Sequence, residues 1–155
     1  MRDKRFVAEH RGGPLSTHEH RLLALWAADC AEHVLSTVWK DDNDQRPLDA
    51  IRQARAWARS EISVGVARKA AVAAHAAARE SRDAAATAAA RAAGHAVATA
   101  HMADHSLGGA LYALKALKIA GQSIETERKW QDEQLPSEIR ELVRSAWESG
   151  KFKGQ

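Results

Sequence analysis

The chain has 155 residues, which suits one domain large enough to bury a core. It carries 23 Lys and Arg against 20 Asp and Glu, a net charge of only +3 with both signs intermixed, so no concentrated nucleic-acid-binding stripe is present. No apolar run approaches the ~18–20 residues of a membrane span, and the single cysteine, Cys30, excludes an intramolecular disulfide.

In chain order, residues 1–16 carry a charged start and Gly12-Gly13-Pro14, and read as a loosely ordered arm. The charged start leads into no apolar stretch, so no secretory signal is expected and the cytoplasm is the expected location. Thr17 is the expected cap of a first helix over 18–39, with His20 three residues on in place of the Glu or Gln of a full capping box. Leu22, Leu23, Trp26, Asp29, Cys30 and His33 share one face of that helix. Cys30, among Ala and Leu, reads as a buried, inert small residue.

The run Asp41-Asp-Asn-Asp44 reads as a turn that caps the next helix, since it lacks the spacing of a calcium loop. Pro47 suits the first turn of helix two, where Leu48, Ile51, Arg55, Ala58 and Ile62 line a stripe. Arg55 interrupts that stripe with a charge that needs a partner if buried; Asp29 and Asp104 are the candidates. Ser63-Val-Gly65 marks a break, and a third helix runs to about Ser81. Asp83 caps a fourth that extends to about Asp104. Leu107-Gly-Gly reads as a further break, followed by a fifth helix through Lys129, with Leu107, Ala110, Leu111, Leu114 and Leu117 on one face. Pro136 opens a last short helix ended by Gly150. No strand pattern competes. About a fifth of the chain is alanine, the best helix former, so the expected fold is all-α: a single-domain bundle of about five to seven closely packed helices over 17–150, with a tail at 151–155.

Polar residues within this small-residue background carry the chemistry. Asp29 and His33 lie one turn apart, as do His101 and His105. The bland reading is a buried polar network of Asp29, His33, Arg55, His95, His101, Asp104 and His105 that fixes helix packing. The alternative is a metal-binding protein or enzyme in which Asp29, His33, His101 and His105 converge across helices. The H-E-x-x-H pattern is absent, because Met102 follows His101. No nucleophile elbow, P-loop or dinucleotide turn occurs, so no catalytic residue and no cofactor are assigned. Ala70-Ala-Val-Ala-Ala-His75 faintly echoes Ala89-Ala-Arg-Ala-Ala-Gly-His95, without the copy number of a solenoid.

Three motifs in order, Leu25-Trp-Ala-Ala-Asp-Cys-Ala-Glu-His33, Arg46-Pro47 with Ala54-Arg-Ala-Trp57, and Gly94-His-Ala-Val-Ala-Thr-Ala-His-Met-Ala-Asp-His105, resemble a family of small all-helical bacterial immunity proteins of polymorphic toxin systems. The resemblance covers roughly residues 18–120. It implies a non-catalytic protein that binds a toxin domain and occludes it, with the shared motifs as folding core rather than interface. Exposed charged and aromatic residues would then form the contact, with Trp130 and the Asp41–Asp44 loop as candidates. No specific nucleic acid and no membrane are expected as partners. Alanine-rich helices also suit packing against a copy, so a homodimer of unfixed symmetry is one expected assembly.

Overall fold

The computed structural model of the protein describes residues 3–149. Within them the chain forms seven α-helices: α1 (Thr17–Val38), α2 (Arg46–Ala58), α3 (Val64–Glu80), α4 (Ala84–Ala98), α5 (His105–Ile119), α6 (Ile124–Glu133) and α7 (Ser137–Trp147). The fold is all-α, with only an isolated bridge between Ala8 and Leu15 outside helices and turns among the described residues. None of these helices is long and apolar enough to cross a membrane.

The helix starts follow local chemistry. Ser16, not Thr17, caps α1: its hydroxyl accepts from the Glu19 amide, and the Glu19 carboxylate accepts from the Ser16 amide. The full capping box is therefore present, one residue earlier than the sequence suggested. Ser63, Asp83 and Ser123 accept in the same way at the starts of α3, α4 and α6. Asp44 accepts from the Arg46 amide where α2 begins.

Three boundaries differ from expectation. The fourth helix stops at Ala98 rather than near Asp104, and residues 99–104 turn before α5 begins at His105. Gly108 and Gly109 lie inside α5, where small residues admit neighbouring helices. The fifth helix does not continue to Lys129: Gly121 adopts φ +80°, and the chain restarts as α6. The expected stop at Gly150 and the 151–155 tail lie outside the described residues.

α4 is the hub and packs against α1, α2, α3 and α5. It is alanine on nearly every side, so it can be buried all round and approached closely. This makes a core of small side chains shared by α1 to α5. A second core collects the bulk: Phe6, Leu15, Leu23, Trp26, Leu107 and Ile139 join the N-terminal segment to α1, α5 and α7. The lead-in is consequently not a loose arm. Phe6 and Leu15 are each only 2% exposed, and Glu9 donates its amide to the Leu15 carbonyl at 2.8 Å. Cys30 is fully buried in this second core, and burial pushes its thiol well above the usual range.

Candidate functional site

Where α4 meets α3 and α5, four imidazoles gather. Arg91 and His95 are among the few large polar side chains on α4, and both turn into this seam. The Arg91 guanidinium donates to His75 Nδ1 at 2.8 Å, which fixes His75 as an acceptor at that nitrogen. The rings of His75 and His95 meet edge-on at 5.3 Å, so the two weakly echoing segments are neighbours in space. His95 Nδ1 lies 3.0 Å from His105 Nδ1, a contact that needs one donor and one acceptor. His95 also stacks on Tyr112 at 5.0 Å, and His101 stands 5.4 Å from His105. His101 Nδ1 is buried without a hydrogen-bond partner.

Two glycines make room for the rings. A Cβ on Gly94 would fall 2.7 Å from His75 Nε2, and one on Gly108 would fall 2.8 Å from His95 Nδ1. Burial, with His105, His75 and Arg91 close by, lowers the pKa of His95 to about 4. His75 and His101 are lowered for the same first reason, burial. His75, His95 and His101 are thus pushed toward their neutral forms in a packed set of rings.

Asp104, at the start of α5, acts electrostatically on His101 and belongs beside this cluster, whereas Asp29, His33 and Arg55 lie elsewhere and do not form one network with it. Arg55 on α2 reaches Asp29 at 2.8 Å and grips Glu32 at 2.8 and 3.0 Å, in a half-open setting on α1. His33 faces α6, where it donates to Glu127 at 2.7 Å and stacks on Trp130 at 3.7 Å. The side chains of Asp29 and His33 are 46% and 45% exposed, so the expectation of a single buried network fails for α1. Helix geometry explains it: one turn of separation puts both on one side, yet α2 and α6 flank that side and each takes one of them. Asp29, His33, His101 and His105 do not converge. Among the described residues, no three His, Cys, Asp or Glu are arranged to hold a metal ion.

His20, Thr99, Ser106, Glu127 and Gln131 are buried polar residues that the sequence reading does not place in the core, and among them His20 and Gln131 tie helices together. His20, 4% exposed, donates from Nε2 to the Thr99 carbonyl at 2.6 Å and so closes the end of α4. Gln131, 3% exposed, donates to the Ala110 carbonyl at 3.0 Å, while its own carbonyl accepts from Trp26 Nε1 at 2.9 Å. Trp26 was visible as a core residue, but nothing local announces which backbone group it meets.

α6 is therefore fastened by polar contacts, through Glu127, Trp130 and Gln131, rather than by an apolar face. Beside it an open groove of about 740 Å³ runs between α5 and α6. Its apolar side is Leu111, Leu114, Ile119 and Ile124; Lys115, Lys118 and Arg128 line it with positive charge. The Asp41–Asp44 loop borders a separate hollow with Trp39 and Glu80, where Arg46 bridges Asp44 and Glu80.

A family model described as Imm-5 like putative immunity protein matches residues 13–138. The match reaches further than the motifs at 18–120 and takes in α1 to α6, hence the whole histidine seam and both walls of the groove. No curated protein and no solved structure matches the chain. A family pattern spanning most of the sequence, on a bundle whose shared motifs serve helix packing, assigns the chain: it belongs to the Imm-5 like putative immunity protein family.

Proposed function

We propose that the chain binds a bacterial toxin domain and neutralises it without catalysis, by covering the toxin's working surface. The observation that carries this reading is the family match over residues 13–138. The disposition of the polar groups supports it. His20, His33, His75 and His95 all take partners within the fold, so their evident work is holding helices together. That leaves the exposed faces to recognise a partner, and burying a rigid complementary surface is enough to block a toxin. The proposed setting is the cytoplasm, with a protein rather than a nucleic acid or membrane as the partner.

The test is a contact co-culture. The strain that encodes the chain is grown on a surface against a derivative lacking it. The derivative should be killed by its parent and rescued when the chain is supplied in trans. Equal survival of the derivative, under conditions where the parent kills unrelated competitors, would overturn the reading.

A further inference from the structure

We propose that the α5–α6 groove is the toxin-docking surface, and that it receives an amphipathic segment with carboxylates flanking apolar side chains. This inference rests on the immunity reading above and names the partner's chemistry.

Three observations carry it. First, the groove is built into the fold: the chain reverses at Gly121–Ser123, and α6 is then pinned by Gln131, Glu127 and Trp130 at points that do not fill the space beside α5. The sequence of α6, Ile124-Glu-Thr-Glu-Arg-Lys-Trp-Gln-Asp-Glu133, has only Ile124 and Trp130 as apolar residues, so it cannot close the groove itself. Second, the apolar side is left open to solvent at Ile119, which is 46% exposed, and Leu111 is only half-buried, in a helix that buries Leu107, Leu114 and Leu117. Third, the charges are of one sign. Lys115, Lys118 and Arg128 line the groove and no carboxylate does so among the described residues. Lys115 is held over the Tyr112 ring at 5.6 Å, which places its ammonium at the groove edge. An apolar strip edged by cations is complementary to an acidic amphipathic segment, and like charge there repels a basic one.

The test uses the same co-culture with the full chain. Lys115→Glu/Lys118→Glu reverses the edge charge, and Ile119→Glu spoils the apolar side. Both change exposed positions, and thermal melting of each purified variant should match the parent chain. Arg128 is left unchanged because it has contacts within the fold. Both variants should lose protection to the level of the deletion strain, while Lys69→Glu, an exposed charge reversal on α3, protects fully; Asp41→Lys/Asp42→Lys is made alongside as the loop variant. If both groove variants fold and still protect, the groove inference is overturned while the immunity reading stands. If only the loop variant loses protection, the acidic loop is the interface instead. If the deletion strain survives as well as its parent, the immunity reading itself falls. Sedimentation of the purified chain supplies the last arm: a dimer that Lys115→Glu/Lys118→Glu dissociates would overturn the inference and assign the groove to a second copy.

Discussion

Arg55 shows how a single charge on an apolar stripe is accommodated. Its guanidinium divides between Asp29 and Glu32, so the two carboxylates do not bear equally on stability. The Glu32 carboxyl is held below its usual pKa chiefly by its hydrogen bond from Arg55. Both carboxylates are about half exposed, which keeps such pairs weak. Asp29→Ala should therefore cost less than about 1 kcal/mol, because Glu32 retains the guanidinium. Arg55→Ala should cost about 1–2 kcal/mol, since it removes both pairs and the packed stem of a side chain that is only 26% exposed. Urea unfolding of the two variants checks this. An Asp29→Ala loss as large as that of Arg55→Ala would mean that Glu32 does not hold the guanidinium alone.

At the scale of the element, the α4–α5 pair depends on glycines that look like helix breakers. Gly108→Ala would put a methyl carbon 2.8 Å from His95 Nδ1, and that ring cannot swing aside without leaving His105. Overpacking of this kind costs about 1–3 kcal/mol, against a gain of about 1 kcal/mol in helix propensity. A net loss of about 1 kcal/mol is expected. Gly109→Ala, one residue along, brings its methyl to 3.4 Å from the Ala27 Cβ, an ordinary contact, and should keep the propensity gain and stabilise by up to about 1 kcal/mol. Equal shifts of the two unfolding midpoints would show that the His95 ring is not confined. These glycines also mark the limit of what the sequence discloses. Asp83 and Pro47 disclosed helix starts because a cap acts within one turn. The sequence reading takes Thr17 as the cap of α1, although Glu19 stands three residues after Ser16, the spacing that closes the capping box. The end of α4 at Ala98 was not legible: the alanine pattern continues past it, and the turn is closed from α1 by His20. The break at Gly121–Ser123 escapes the sequence reading, which carries the helical pattern through Lys129, and its result, a groove beside α5, depends on the Gln131 and Trp26 contacts across the fold. Likewise the spacing of His101 and His105 is a local fact, whereas the meeting of His95 with His75 and Tyr112 is tertiary.

For the molecule as a whole, the buried imidazoles couple folding to pH. His20, His75, His95 and His101 all have pKa values lowered first by burial, and His75, Arg91 and His105 add to the effect at His95. The sign follows directly. Each folded value lies below the unfolded value of about 6.5, so the unfolded chain binds more protons as the pH drops through this range. The stabilisation is complete above about pH 6.5 and is lost progressively below it; for His95 the loss ends near pH 4. Between pH 6.5 and 5, His95 alone accounts for roughly 2 kcal/mol, at about 1.4 kcal/mol per pH unit. In a chain of this length that corresponds to a fall in Tm of about 4–8 °C. The depressed carboxylates, Asp3, Glu9, Glu32, Asp44, Asp132 and Glu138, titrate below the range from about pH 6.5 to 5 and do not mask the effect. Melting curves from pH 7.5 to 5.0 should show the fall, and His95→Gln, which keeps a polar side chain but cannot titrate, should flatten much of it. A melting temperature independent of pH over that range would mean that the α3–α4–α5 seam admits protons without opening, and that the rings are less enclosed than their packing against Gly94 and Gly108 requires.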